Sequence, residues 1–306
     1  MSSLEIHLAG SSEDKLLRSL HFDQKSSAAY VQSRQEVSYA SSSGGSFSPT
    51  TGIRVIRFAL NDGGAGFLSG DTVRLAFTLR NEGGAPITPI TLSPSSLFRR
   101  FRLLAGGVEI EDIAEYGRYH EMRTMMMSAA EKINEMTEGW GGTADASSVD
   151  MDHADPIPAG GERRMLCKFH SSFLNQGKKL MLAGLTALTL ELELGGASDC
   201  FAEDGCNYTI IRPTILASVL QLDPAVVSSY TQHLLSGKSL SYNCPATAFC
   251  MKAAVTSSTF SLPISRGFSR LSSVAFSFYT GVGKQNITFN HPLAGAAPTG
   301  DNDLLR

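Results

Sequence analysis

The sequence lacks the features that mark membrane proteins, dedicated nucleic-acid-binding proteins and zinc proteins. Only 18% of its 306 residues are charged, the formal net charge is −3, and no run of five or more basic residues occurs. The apolar runs are far shorter than the roughly 18 residues that read as a membrane span, and the N-terminus lacks the basic and apolar regions of a signal peptide. The five cysteines include no Cys-x-x-Cys pair, which fits free thiols in a reducing compartment.

What the sequence has is glycine, serine and alternation. With 29 glycines and 42% hydrophobic residues, the composition favours a turn-rich β protein with real cores over a helical enzyme. Residues 53–60, 72–80 and 187–194 alternate apolar and polar side chains, as half-buried strands do. The third segment is the most regular, and the side chains expected to form one wall of a core are Leu188, Leu190, Leu192 and Leu194.

A hairpin that runs into a helix is the most informative local pattern. Two alternating runs, 97–105 and 108–113, flank a Gly-Gly turn, and a helix is expected over 114–136. The first run carries arginines and the second acids, so we expect cross-strand pairing. The residues concerned are Arg99, Arg100 and Arg102 on one side and Glu109, Glu111 and Asp112 on the other. Two of these acids share a face by spacing and are expected to meet solvent or a basic partner.

The second half of the chain predicts further strands around one capped helix. The segment Tyr208–Leu222 reads as two strands broken at Pro213. Asp223 followed by Pro224 predicts a helix N-terminus, with the helix running to about Leu235. Strand-like segments then follow at 240–242, 248–255, 259–264, 271–279 and 287–289. The first 50 residues, rich in serine and glycine, are expected to be a flexible arm.

Five groups of segments, taken in order, point to a family. They are 66–75; 97–113 with Tyr116, Tyr119, His120, Glu121 and Met122; 176–182 with 188–194; 220–224 with 234–240; and 268–271. Together they resemble the double jelly-roll major capsid proteins of Polintons, polinton-like viruses, virophages and adintoviruses, the lineage that includes adenovirus hexon. The resemblance covers roughly residues 50 to 280.

The resemblance implies an all-β fold of two eight-stranded antiparallel jelly rolls standing side by side, with inserted helices. It divides the chain into an arm over 1–50, a first jelly roll over 51–196 with a helical insertion near 114–136, and the start of a second over 206–306. Too few strands follow residue 206 to complete that second jelly roll, so we expect it to be incomplete.

The function implied by the resemblance is that of a structural major capsid protein, located in the virion and assembled inside the host cell. Homotrimers of pseudo-hexagonal outline would build the icosahedral shell of a dsDNA virus or virus-like element. The expected partners are the chain itself, neighbouring capsomers, and minor capsid or penton proteins, with no sequence-specific nucleic-acid binding and no transmembrane segment.

No catalytic, cofactor-binding or metal residue is predicted, because no ordered nucleophile, metal or phosphate motif is found. One weaker alternative is a cation held by His120 with Glu121, or by His153 with Asp152 and Asp155. Two other function classes stay open. One is a non-viral β-sandwich that binds carbohydrate or another ligand, with Trp140 on a glycine-rich loop as its best candidate residue. The other is a cupin-like enzyme, which would need inward-facing His and Glu ligands.

Overall fold

The computed structural model describes residues 30–50, 52–61, 66–88, 93–128, 131, 156–182, 188–201, 203, 205–250, 259–264, 267 and 270–275. The strands are β1 (Val31–Ala40), β2 (Ser46–Phe47), β3 (Val55–Ala59), β4 (Phe67–Leu68), β5 (Arg74–Asn81), β6 (Phe98–Ala105), β7 (Val108–Ala114), β8 (Glu162–Lys168), β9 (Leu180–Met181), β10 (Leu188–Leu194) and β11 (Tyr208–Leu222). The helices are α1 (Tyr116–Met125), α2 (Ala197–Cys200) and α3 (Pro224–Leu235), with 3-10 turns at Gly70–Thr72 and Pro94–Leu97.

The strands form two antiparallel sheets. One has the order β8-β5-β11-β4-β9, with β1 and β2 also paired to β11, and the other has the order β3-β10-β6-β7. When the eight strands of five or more residues are numbered 1 to 8 along the chain, the orders become 1-8-3-6 and 2-7-4-5. This is the strand order of a jelly roll, in which two Greek keys fold into facing sheets. The predicted all-β class and its jelly-roll architecture are therefore confirmed.

Both predicted limits of this jelly roll differ from the structure. Strand β1 lies inside the predicted arm, yet it pairs with β11 from Val31 to Ala40. Strand β11 was assigned to a second block, yet it lies between β1 and β5 at the centre of the first sheet. The jelly roll thus needs residues 31–222 for its eight strands. Strand β1 was not predicted because its sequence is polar. Most of its side chains face solvent, and only that of Tyr39 is buried.

The predicted break at Pro213 is also wrong, because β11 continues through it for 15 residues. The register against β5 shifts between Ile211 and Thr214, as in a β-bulge. Arg212 at this point has a φ of 50°, in the left-handed region that non-glycine residues seldom adopt. A bulge accommodates the proline, which cannot donate a ladder hydrogen bond.

One apolar core lies between the two sheets. The predicted leucine wall is confirmed, since the four leucines of β10 are 0% exposed and alternate with half-buried Thr189, Glu191 and Glu193. Phe58 on β3 and Leu103 on β6 are the register partners of Leu190 on either side, and both are also fully buried.

The helices agree only in part with the sequence predictions. Helix α3 has the predicted bounds, and the Asp223 carboxylate accepts a hydrogen bond from the Ala225 N–H at 2.8 Å. Helix α1 starts two residues late, because Ala114 still belongs to β7, and residues 126–128 after it are not helical. Of the strands predicted beyond α3, none is present within the described residues 240–250, 259–264 and 271–275. Residues 251–258 and 276–306 lie outside the described part of the chain.

Candidate functional site

The histidine of the alternative cation site is buried in the fold. His120 on α1 is 2% exposed, and its ring lies 4.3 Å from the ring of His170, centroid to centroid. Burial, and then the neighbouring His170, hold the pKa of His120 well below its usual range. Among the described residues no group of three His, Cys, Asp or Glu side chains could hold a metal ion. His153, Asp152, Asp155 and the Glu121 side chain lie outside the described positions.

An aromatic stack fixes α1 against the barrel. The ring of Tyr116 stacks on Phe101 of β6, with centroids 5.2 Å apart. Its hydroxyl accepts a hydrogen bond from the His170 backbone N–H at 2.9 Å. Both aromatic residues are fully buried, so α1 is anchored by packing and does not stand free in solvent.

The acids of the hairpin are divided between the two faces of β7. Ile110 is the extra residue in the register between β7 and β6, and this bulge turns Glu111 inward. Glu111 is 7% exposed and accepts hydrogen bonds from the Ser171 hydroxyl and, at 2.9 Å, from the Ser172 N–H. Burial raises the pKa of its carboxyl. The prediction that the acid sharing a face with Glu109 meets solvent or a basic partner is therefore wrong for Glu111.

Two of the three hairpin arginines pair with acids of the second strand as predicted, and the third does not. Asp112 accepts two hydrogen bonds from the Arg100 guanidinium, at 2.7 and 2.5 Å. This paired carboxylate is the main reason why the pKa of Arg100 is raised. Arg102 lies 3.3 Å from Glu109, and Arg99 pairs instead with Glu115.

These pairs continue across the outer face of the four-stranded sheet. The Glu191 carboxylate on β10 lies 2.6 Å from Nε of Arg57 on β3 and 3.0 Å from Nη1 of Arg102 on β6. Four arginines of β3 and β6 thus each have a carboxylate within ion-pair distance. We call this surface, formed by Arg57, Arg99, Arg100, Arg102 and their acidic partners, the paired face.

A small apolar cluster lies where α3 meets the barrel. Phe67, Met181 and Leu220 form its buried centre, and side chains of α3 and Leu240 pack on it. Tyr242 then extends this contact, with its ring 5.9 Å from that of Phe173. The chain from α3 to Tyr242 is thus held against one end of the barrel.

Beyond Tyr242 the described chain is mostly exposed to solvent. Five of its large apolar side chains are exposed by 44 to 58%, and they are Phe249, Phe260, Ile264, Leu271 and Val274. We call the described residues 249–275 that carry them the exposed apolar segment. Apolar side chains gathered in one exposed stretch are typical of contact surfaces.

The described surface also holds a groove beside β1. Its volume is about 560 Å³, and its polar lining comes mainly from the amides of Gln32, Gln35, Asn61 and Gln221. Carboxamides both donate and accept hydrogen bonds without carrying charge. Trp140, the sequence candidate for ligand binding, lies outside the described residues.

The cysteines show no reactive centre in the described structure, where all five are free thiols. Cys200 is buried, and its Sγ lies 3.1 Å from the Gly196 carbonyl oxygen. Burial raises the pKa of this thiol, which disfavours the nucleophilic thiolate. No described helix is both long and apolar enough to cross a bilayer.

Comparison with known proteins gives likenesses of structure alone. No family model and no curated protein matches the sequence. PBCV-1 VP54, fitted into a reconstruction of the virophage Sputnik, is similar with a TM-score of 0.44 and 16% identity, over 69% of this chain and 48% of that one. The Sputnik virophage structure gives 0.43, 9%, 65% and 49% for the same four quantities. The Faustovirus major capsid protein gives 0.46, 7%, 69% and 58%.

The chain thus spans about half the length of each of these three solved structures.

Proposed function

We propose that this chain is a structural subunit of a viral capsid, and that it works by packing against other subunits without turning over a substrate. The observation that carries the proposal is the strand order 1-8-3-6 and 2-7-4-5, and the order of sequence segments, which resembles that of major capsid proteins, supports it. The space between the sheets is filled by leucine and phenylalanine side chains. A filled jelly roll offers its outer surface for function, and a subunit of a shell uses that surface.

The proposed assembly is a homotrimer that packs beside neighbouring capsomers in the icosahedral shell of a dsDNA virus or virus-like element. Minor capsid or penton proteins would complete the shell, and assembly would take place inside the host cell. We further propose that a second jelly roll starts after the first. The exposed apolar segment supports a role in contact, because burying its side chains against a neighbour would remove apolar area from water.

Light scattering and negative-stain microscopy of the purified chain test the proposal. We expect trimers, or larger assemblies built from trimers. Replacing Phe260 and Ile264 by Asp should shift the mass toward the monomer. The matched control is Val108→Asp together with Met126→Asp, which adds the same two charges at two positions that are each 70% exposed and lie outside that segment, and it should leave the mass unchanged. A protein that stays monomeric at every concentration, with or without the changes, would refute the assembly proposal.

The amide-lined groove favours one second candidate, a module that binds a neutral, hydroxyl-rich ligand such as a glycan. Gln35→Ala and Gln221→Ala should then abolish glycan binding while leaving the folding midpoint nearly unchanged. Retention of neutral glycans by a monomeric wild-type protein would favour this candidate over the capsid subunit.

A further inference from the structure

The strand register assembles a cluster of positive charges that the linear sequence does not show. Arg74 of β5 lies directly opposite Lys168 of β8, and Thr78 lies opposite Arg164. Arg80 is two residues further along β5 on the same face. We call Arg74, Arg80, Arg164 and Lys168 the basic patch. It lies on the outer face of the sheet opposite the paired face, because the alternate residues of both strands are buried in the core.

The cations of the basic patch are not neutralised in the way that those of the paired face are. Within the described residues only Arg80 has a carboxylate in ion-pair range, that of Glu82 at 3.6 Å. The Arg74 guanidinium donates instead to the carbonyl oxygens of Asp71 and Val73, at 2.9 and 3.1 Å. Nearby acids are few: Glu162 is the register partner of Arg80, and Glu131, whose pKa is lowered first by hydrogen bonds from Ser128 and last by the charge of Lys168, lies near Lys168.

The pairing of Arg74 with Lys168 opposes stability. Like charges directly opposite each other on antiparallel strands are destabilising. The other sheet of the same barrel shows the stabilising alternative: Asp112 lies directly opposite Arg102 and pairs diagonally with Arg100. An anion placed over the basic patch would turn this repulsion into attraction.

The spacing of the basic patch fits a repeating anion better than a single one. At the usual rise of a strand, Arg74 and Arg80 are about 20 Å apart and Lys168 and Arg164 about 13 Å apart. Each strand of a nucleic-acid duplex carries one phosphate per about 3.4 Å of helix axis, so a length of about 20 Å covers roughly six base pairs. The patch therefore spans several phosphates.

The neighbours of the basic patch distinguish between polyanions. The outward side chains between its cations on β5 and β8 are Ala76, Thr78 and Leu166. A single-stranded nucleic acid is usually held by aromatic side chains that stack on bases, and an interfacial membrane binder by Trp, Phe and Leu on one face. No aromatic side chain stands among the outward positions of these two strands. We propose that the basic patch binds the phosphate backbone of double-stranded nucleic acid, independently of base sequence.

Fluorescence anisotropy of the full chain with short labelled DNA duplexes of two unrelated sequences tests this proposal. Both duplexes should bind equally. With three to four phosphate contacts, affinity should fall about 40- to 150-fold between about 50 and about 200 mM salt. Arg164→Gln together with Lys168→Gln should weaken binding about tenfold and lower the salt slope by about two.

The matched control removes the same charge from the opposite side of the barrel. Arg57→Gln together with Arg99→Gln should change affinity by less than about twofold, since neither residue belongs to the patch. Equal losses from both double variants would mean that only net charge matters, and would overturn the assignment. Thr78→Glu, which keeps every cation and adds a carboxylate at the centre of the patch, should also weaken binding and decides the matter if the double variant does not fold.

Two further outcomes would overturn the proposal. One is the absence of duplex binding at low salt, and the other is preferential binding to phosphatidylcholine vesicles containing phosphatidylserine. The proposal does not rest on the capsid function. Light scattering on the same samples separates the two, because trimers that fail to bind DNA would refute the basic patch alone.

Discussion

Replacing Leu190 by Ala tests the core that holds the two sheets together. Leu190 lies in the middle of β10, is 0% exposed, and has fully buried register partners in Phe58 and Leu103 on either side. With both neighbouring strands in place, the cavity left by the missing atoms cannot collapse fully. Leu→Ala changes at such sites cost about 2–5 kcal/mol, and we expect about 3 kcal/mol here. That is a large part of the roughly 5–15 kcal/mol by which a domain is stable.

The control uses the adjacent residue of the same strand. Thr189 points to the outer face, so Thr189→Asp should cost about 1 kcal/mol or less. Leu190→Asp would bury an unpaired carboxylate and should prevent folding. Urea unfolding followed by far-UV circular dichroism measures the losses in Leu190→Ala and Thr189→Asp as shifts of the unfolding midpoint at constant m-value. Equal midpoints for Leu190→Ala and wild type, or equal losses for Leu190→Ala and Thr189→Asp, would refute the assigned register.

The other predictions concern two buried ionisable groups and one close backbone approach. The pKa of His120 is low in the folded protein and near 6.5 in the unfolded chain. The contribution of this histidine to stability should therefore be lost as the pH falls below about 6.5. The urea midpoint of His120→Gln should change less than that of the wild type over this pH range. Burial raises the pKa of Glu111 from its usual 4.5. Its contribution to the stability of the fold is therefore present below about pH 4.5 and is lost as the pH rises through the pKa of the folded state. Glu111→Gln should remove that loss, and an unchanged pH dependence of the urea midpoint would contradict this. A Cβ on Gly70 would overlap the Leu174 carbonyl oxygen, whereas one on Gly84 meets nothing within 4 Å. Gly70→Ala should therefore lower the free energy of unfolding by about 1–3 kcal/mol and lower the melting temperature with it. Equal melting temperatures for Gly70→Ala and Gly84→Ala would refute the close approach.

Local chemistry made part of the fold predictable. Alternation alone identified the buried face of β10, because a strand has a side-chain period of two and four leucines occupy one phase. The Asp223–Pro224 pair located the start of α3, because the side chain caps the backbone N–H groups that the first turn leaves unsatisfied. Such signals act within a few residues and survive whatever the chain does elsewhere.

Tertiary context decided the rest. Strand β1 buries little of its own surface and is stabilised by pairing with a partner some 180 positions away in sequence, as in Val37 with Ala217. No local pattern reports such a pairing. The inward turn of Glu111 follows from a bulge at Ile110, and two acids at a spacing of two would otherwise share a face. The sequence of β7 does contain a signal of this change. Val108 and Ile110 are two residues apart, as on one face of a strand, whereas Ile113 is three residues further on and so belongs to the other face.

The basic patch escaped sequence analysis for a related reason. Its residues come from segments about 90 positions apart, and each segment alone has too few cations to mark a nucleic-acid-binding protein. Only the pairing of Arg74 with Lys168 brings them together. A search of the sequence for runs of basic residues is therefore insensitive to charge clusters on sheets, where every second residue on each strand faces the other way.

The two proposals use different surfaces, and electrostatics explains why they should. A subunit contact through the basic patch would take cations such as Arg164 and Lys168 out of water, which costs free energy unless the neighbouring subunit supplies carboxylates. A contact through the paired face would remove hydrated ion pairs such as Arg57–Glu191 from water, at a desolvation cost that their attraction need not repay. The exposed apolar segment has neither handicap. Contact between subunits through that segment would leave the basic patch open to a polyanion, so changes at Phe260 and Ile264 should alter assembly without altering duplex affinity per subunit, and changes at Arg164 and Lys168 should do the reverse.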